Sequence, residues 1–405
     1  MLTDSKISKL GKIRLFYLYQ DFLNIMPIHT FEIITQLANN GHEVFLFGCI
    51  DKKAAFFHDL NTLRIKVIKV PYWPIRAIGE AFFLLLLFIK IIKNILNYRP
   101  DIIYIRHGSL SIIGAMIRRI FRIPICIEVN DILLKRTEFR NIPFLKSIWI
   151  YIYEKLSFSL ADRIFPVTKN ISNWIKNQYS VKRNCIVTIP NGVNIKRFYP
   201  MNLELCRNKF EIAQNKFVVG YLGSLFHWAG IEYLIDAAKL IVPAFPNALF
   251  VIGGGEQPYL AQLTKKVQKD NLDDYFKFFG TISWDEASDF INTFDIGVAP
   301  VFFKSLESGI SSQKVFAYLS CGKPVIGSDI PGLGNLLKNE GIGISFPMGH
   351  SVSLSRAIIM LIQNRKEVEN MSKRAKKFVV NKCSWEIVVN QIEKHFFQLL
   401  GNHNR

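Results

Sequence analysis

Two α/β domains, each built on a doubly wound parallel sheet, are what this sequence predicts. Three observations carry the reading. Short apolar runs alternate with stretches of helical spacing, the alternation stops and restarts once, and 405 residues with 50% hydrophobic content suffice for two separate cores. Strands that alternate with helices imply parallel pairing, because each crossover returns the chain to the same end of the sheet.

Residues 12–18 (KIRLFYL) read as the first strand, 31–40 as a helix ending before Gly41, and HEVFLFG as the second strand. Residues 81–89 form an unbroken apolar run followed by Lys90, Ile91, Ile92 and Lys93. That is short of the roughly 18–20 residues a membrane span needs, and leaves a buried helix or a helix lying in the headgroup plane. Residues 101–106 (DIIYIR) give a strand, 114–121 a helix, ICIEV a strand, 143–160 a long aromatic helix, and ADRIFPVT a further strand. The turn TIPNGVN closes this half.

The pattern restarts after residues 190–216 with the strand KFVVGYLGSL, the helix IEYLIDAAKLI and the strand ALFVIGGGE. FKFFGTI, DIGVAPV and KPVIGSD read as strands separated by helices, among them KVFAYLSCG, and GIGISF completes the sheet. The domains are therefore expected at 1–200 and 201–385, with a last helix at 386–405 able to pack across both. Two such domains on a short linker form a cleft, and open parallel sheets bind ligands beyond the carboxyl ends of their strands, so the site is expected between them.

Lys and Arg total 51 against 32 Asp and Glu, a net charge of +19. Residues 1–200 hold 29 of the basic and 13 of the acidic residues, so the first half carries most of the surplus. Such a surface attracts nucleic acid, anionic lipid or phosphorylated substrates. No nucleic-acid-binding module is present, which argues against the first. Arg118, Arg119 and Arg122 end one helix, and Lys135, Arg136, Arg140 and Lys146 precede Trp149, Tyr151 and Tyr153; basic residues beside aromatics favour a peripheral membrane contact. Six scattered cysteines without a CxxC pair read as reduced core thiols, with no metal site expected. The first residues lack a long apolar stretch with a cleavage site, so a cytoplasmic location, at the inner face of a membrane, is expected.

Three strand ends in the second half carry small or phosphate-compatible residues: Gly223-Ser224, Gly253-Gly254-Gly255-Glu256, and Ser311-Ser312 ahead of a helix opening near Gln313 or Lys314. Glycine lets a phosphate approach the backbone, and free amides at a helix start are partially positive. Together they suggest a nucleoside diphosphate pocket. There is no GxxxxGK[ST] loop.

TIPNGVNIKRFYP, VVGYLGSLFHWAGIEYLIDAA, FVIGGGE and KVFAYLSCGKPVIGSD, in this order, with EVND and ADRIFPVT in the first half, resemble the family 4 retaining glycosyltransferases of the GT-B fold. The similarity covers nearly the whole chain. It implies two Rossmann-like domains facing a cleft, the second holding a UDP- or GDP-linked sugar and the first a glycan or lipid-linked acceptor. It also implies transfer with retained anomeric configuration, no cofactor beyond the donor and no obligatory metal. The leaving diphosphate gains negative charge as the glycosidic bond breaks, so the chemistry needs cations and amides around it.

The sequence departs from the family where those charges belong. An arginine and a lysine that neutralise the diphosphate are replaced by Ser224 and Ala229, and two glutamates eight positions apart by Gly309 and Ala317. Lys314 is the candidate replacement cation, with Lys304 preceding its loop, and Glu307 the candidate sugar ligand. With Gly223, Ser224, Gly254, Gly255, Glu256, Ile282, Ser311, Ser312 and Gln313 they make up the expected donor site. His227, beside Trp228, falls in the loop where the family contacts donor phosphate and acceptor.

Asn130-Asp131 stand where the family often has His-Asp; asparagine orients a hydroxyl but cannot take its proton, a role a leaving phosphate can fill. Asn130, Asp131 and His227 are the catalytic candidates, and Gln20, Asp21, Arg106 and His107 the acceptor-binding ones. The function expected is a hexosyltransferase-type step in surface polysaccharide or glycolipid synthesis. The alternative is a degenerate, non-catalytic GT-B protein serving as a binding or scaffold subunit; a related nucleotide-sugar epimerase is disfavoured by the scarcity of Glu and His in the pocket.

Overall fold

The computed structural model describes residues 11–20, 28–49, 60, 63, 65–73, 78–134, 143–255, 258–302 and 313–403. The chain divides into a first unit, residues 1–190 with 385–405, and a second, Asn191–Ser384.

The first unit runs β1 (Arg14–Leu18), α1 (Ile28–Asn39), β2 (Glu43–Gly48), β3 (Ile65–Lys69), α2 (Ile78–Tyr98), β4 (Ile102–Arg106), α3 (Ser111–Phe121), β5 (Ile125–Val129), α4 (Phe144–Leu160), β6 (Arg163–Pro166) and α5 (Lys169–Gln178). The second runs α6 (Leu203–Lys209), β7 (Phe217–Leu222), α7 (Ile231–Ile241), β8 (Ala248–Gly253), α8 (Tyr259–Lys269), β9 (Phe276–Phe278), α9 (Ala287–Asn292) and β10 (Ile296–Ala299). It continues through α10 (Gln313–Ser320), β11 (Val325–Ser328), α11 (Gly334–Glu340), β12 (Gly343–Phe346), α12 (Ser351–Gln363) and α13 (Arg365–Lys382). A final helix, α14 (Trp385–His403), returns to the first unit.

The first sheet has the order β3-β2-β1-β4-β5-β6 and the second β12-β11-β10-β7-β8-β9, with every pairing parallel. Counted within its own unit each is the 3-2-1-4-5-6 order of a Rossmann sheet, whose order reverses beside its first strand. Helices cover both faces, so the strands are apolar on both sides. In the first unit Phe16, Phe45, Ile103 and Ile127 face Phe83 and Leu87 of α2, Ile117 of α3 and Phe158 of α4. Their neighbours Tyr17, Leu46, Tyr104 and Cys126 face Ile34 and Leu37 of α1 and Val389 and Phe396 of α14.

The final helix packs on the first unit's sheet, where its buried Glu393 accepts hydrogen bonds from Asn40 Nδ2 at 2.7 Å and pairs with His42 Nε2 at 2.9 Å. The division falls after Pro190 rather than at residue 200, because the next residues bond to the second unit: the Val193 amide donates to the Cys383 carbonyl at 2.8 Å, and Phe198 is buried in the second core. The apolar run at 81–89 is helical, with one face buried and apolar residues on the other. It lies in a 21-residue helix with Phe83, Leu87 and Ile91 in the core and Phe82, Leu85 and Ile89 exposed. No helix among the described residues is long and apolar enough to cross a membrane.

Candidate functional site

The donor candidates gather at the carboxyl end of β7. Tyr318 of α10 pins this strand end: its hydroxyl accepts from the Leu222 amide at 2.7 Å and donates to the Leu222 carbonyl at 2.9 Å. Tyr221 donates to the Ser224 carbonyl at 2.9 Å, bending the chain into the turn. Lys314, at the start of α10, donates from Nζ to the Tyr221 hydroxyl at 2.7 Å and lies 4.3 Å from its ring centroid. A Cβ at Gly223 would stand 3.0 Å from the same Nζ, so the ammonium sits against the glycine turn. Among the described residues no carboxylate pairs with it.

Gly254 has φ +104°, and a Cβ there would meet the Gly223 carbonyl oxygen at 2.1 Å. The two glycine turns are thus stacked backbone on backbone, which only glycine permits. Gly255 lies against Leu225, and Ile282 approaches Gly253, where an added Cβ would be 3.0 Å away. The structure therefore brings Gly223, Gly254, Gly255, Ile282 and Lys314 to adjoining strand ends, with Ser224 exposed beside them and Gln313 opening α10. Glu256, Glu307, Ser311 and Ser312, with Lys304 and Gly309, lie outside the described residues.

His227 is in a single 3-10 turn, His227–Ala229. Its side chain is exposed, 3.7 Å from Glu232 and edge-on to Tyr259 with centroids 4.5 Å apart. Phe226 and Trp228 stack on each other at 4.3 Å, both half-exposed. Ala229 and Ala317 are both buried.

The first unit carries a second cluster, at the carboxyl ends of β4 and β5. Arg106 stands opposite Glu128 in the sheet register. Glu128 is buried and paired with His29 Nε2 at 2.9 Å; the Tyr104 hydroxyl donates to it at 3.0 Å, and the Asn130 amide donates to it as well. Burial alone would raise the Glu128 carboxyl, but His29, Arg106 and the Asn130 amide hold it at about 2. Burial lowers His29, against the opposing pull of the Glu128 carboxylate. Asn130 is thereby turned back onto Glu128, while the Asp131 carboxylate accepts the Ile132 amide at 2.8 Å.

His29 and Glu128 were not among the residues singled out from the sequence. The available signal is a charged residue inside the otherwise apolar strand ICIEV, whose every position is buried.

Gln20 accepts from Ser109 Oγ at 2.6 Å at the same edge; Asp21 lies outside the described residues. His107 corrects the expectation of an acceptor contact. Its side chain is only 2% exposed, with Nε2 2.8 Å from Glu154 and Nδ1 3.2 Å from Ser111 Oγ. Glu154 also accepts from the Tyr179 hydroxyl. With both nitrogens engaged in the core, His107 braces the turn and is closed to a ligand.

Tyr151 and Tyr153 are corrected in the same way. They pack inward from α4, and of the three expected interfacial aromatics only Trp149 is exposed. All six cysteines are free thiols, and no group of three or more His, Cys, Asp or Glu among the described residues could hold a metal ion.

Two Rossmann-like sheets of one strand order, the second with a glycine-lined strand end and a lysine that has no carboxylate partner among the described residues, define a GT-B glycosyltransferase fold. Residues 204–378 match the family model described as Glycosyl transferases group 1, and residues 26–197 match Glycosyltransferase Family 4. The two models, one falling within the second unit and one largely within the first, support a glycosyltransferase of this type.

It is 24% identical over 258 residues to an uncharacterized glycosyltransferase of Methanocaldococcus jannaschii, spanning 62% of this chain and 63% of that protein. It is 23% identical to the alpha-monoglucosyldiacylglycerol synthase of Streptococcus pneumoniae, over 79% of this chain and 71% of the relative. It is 24% identical to the UDP-Gal:alpha-D-GlcNAc-diphosphoundecaprenol alpha-1,3-galactosyltransferase of Escherichia coli, over 78% of this chain and 79% of the relative. Among solved structures, Anabaena HepE in complex with UDP aligns with a TM-score of 0.75 at 17% identity, covering 95% of this chain and all of the other.

Proposed function

We propose that this protein is a retaining hexosyltransferase. It moves a sugar from a UDP- or GDP-linked donor held by the second unit to a glycan or lipid-linked acceptor of surface polysaccharide or glycolipid synthesis. The anomeric C–O bond to the diphosphate breaks, a new bond forms from the acceptor oxygen to the same face, and the acceptor proton passes to the leaving phosphate. No further cofactor enters, and the basic first unit meets the membrane peripherally.

The observation that carries the reading is Lys314: a cation without a carboxylate partner among the described residues, held by Tyr221 against two glycine turns. Charge arriving on a diphosphate at this strand end meets one ammonium and the amides of α10 and the glycine turns. Relatives named for a UDP-linked donor and for glycolipid synthesis support the donor and acceptor classes.

Calorimetric titration with UDP and then GDP tests it. Saturable binding of one of them is expected, weakened at least about tenfold by Lys314→Ala, the loss of one charge-assisted hydrogen bond. Absence of binding by the folded protein, with lipid acceptor supplied, overturns the donor assignment.

A further inference from the structure

At the opposite edge of the first sheet from the Glu128 cluster, the amino ends of β5 and β6, lies a cavity of about 600 Å³. Its walls include Arg118, Arg119, Arg122, Arg163 and Lys182, with Asp162 the one acid among its described residues. Arg118 neutralises that acid through two contacts of 2.8 Å, and Asp162 is further occupied by the Ile125 amide at 2.9 Å. Arg119, Arg122, Arg163 and Lys182 have no acidic partner among the described residues. Arg163 donates from Nη1 to the Asp162 carbonyl at 2.9 Å, and its Nε is buried with no hydrogen-bond partner among the described residues. Its guanidinium thus adds charge to the cluster that no described carboxylate neutralises, and an anion in the cavity offsets the repulsion among these cations. Ligands of such sheets bind at the other edge, so the donor and acceptor do not account for these cations.

We infer that this cavity is a binding site for the phosphate group of an anionic lipid. The lipid source follows from what adjoins it. The cavity is walled by the end of α4, and α4 carries the exposed apolar residues Phe144, Leu145, Ile148, Trp149, Ile152 and Leu156 along the face leading to it. Met116 and Ile120 are exposed on α3, the helix that supplies Arg118 and Arg119 and is capped by Arg122. An apolar stripe with an interfacial tryptophan, ending at a cationic cavity, matches acyl chain beside headgroup phosphate. The proposal deepens the membrane contact proposed above and is independent of the donor site.

The test uses the full chain with three probes: inorganic phosphate, phosphatidylcholine vesicles, and phosphatidylcholine vesicles containing phosphatidylglycerol. Arg119→Glu with Lys182→Glu reverses two exposed cavity charges; Lys265→Glu with Lys269→Glu makes the same net change on exposed α8 positions. Binding to the phosphatidylglycerol vesicles is expected to fall at least about tenfold in the first variant and to stay within about twofold in the second. Leu145→Glu is expected to weaken vesicle binding while leaving phosphate binding unchanged. UDP titration of each variant is expected to match the parent, which separates failure of this site from failure of the donor reading. Equal losses in both charge variants, or no saturable binding to any probe, would overturn the site. Phosphate binding without preference for the anionic vesicles would overturn its assignment to lipid.

Discussion

Replacing Glu128 with glutamine removes a buried negative charge while keeping the shape of the side chain. The carboxyl sits at about 2 in the folded protein against its ordinary 4.5, a difference that corresponds to about 3 kcal/mol of stability at neutral pH. A carboxyl whose folded value is depressed releases its proton more readily in the folded state. Its stabilisation is therefore fully present above about 4.5 and lost as the pH falls towards 2. Glu128→Gln is expected to destabilise the first unit by about 3 kcal/mol at pH 7, because Arg106 loses its counter-charge and the Tyr104 hydroxyl its carboxylate acceptor. At about pH 3 less than half of the difference should remain, since the unfolded chain then carries this carboxyl protonated while the folded one is still mostly ionised. Urea titration read by hydrogen exchange in β4 and β5 at both pH values measures it within the first unit. A difference below about 1 kcal/mol at pH 7, or one that does not shrink in acid, would refute an ionised Glu128 as the centre of this cluster.

Four further outcomes are expected. Lys314→Ala should weaken nucleotide binding at least about tenfold with thermal stability little changed, read by calorimetry and a melt. Gly254→Ala forces a side chain to φ +104° and against the Gly223 carbonyl, so stability should fall by about 1–3 kcal/mol and nucleotide binding with it. His107→Ala leaves Glu154 buried without its ring partner; denaturant unfolding should show a loss of about 3–5 kcal/mol, whereas KM for the acceptor, measured at a temperature where the variant is folded, stays unchanged. His227→Ala, at an exposed position, should leave stability within about 0.5 kcal/mol, so that any fall in turnover reports on chemistry.

Both sheets were legible because a parallel sheet covered on both faces needs apolar strands, and ICIEV or ALFVI can be little else. Strand β3 was not, because IKVIK lies at the sheet edge with one fully buried residue, and its lysines mask the pattern. The glycine turns and Lys314 were visible as local spacing, which a strand-to-helix connection preserves. The His29–Glu128 pair was not, because it forms only when β5 comes alongside the start of α1, roughly a hundred residues earlier in the chain. His107 shows the same limit from the other side: its place in the strand-end turn is local, whereas its direction is set by Glu154 on α4, 47 residues away. Tyr151 and Tyr153 depended on helical phase. In α4 residues 145, 149, 152 and 156 share the outer face, while 150, 153 and 157 fall inside.

The charges that the family resemblance places at the expected donor site bear on one another. The resemblance places cations at Ser224 and Ala229 and a carboxylate at Ala317; here Ala229 and Ala317 are 2% and 6% exposed. A single charge restored at either buried position, without its partner of opposite sign, would be left unpaired in apolar surroundings. Losing both signs together avoids that cost and leaves the local charge nearly balanced. It also leaves Lys314 with no carboxylate among the described residues to share it, so its full charge is available to a diphosphate. Under the proposed function, donor affinity is then concentrated on one side chain. Lys314→Ala should therefore reduce nucleotide binding by a larger factor in this protein than loss of either cation does in a relative that carries the Arg/Lys pair, where the remaining cation still faces the phosphates. Equal factors in the two proteins would mean that backbone amides, not the ammonium, hold the diphosphate here.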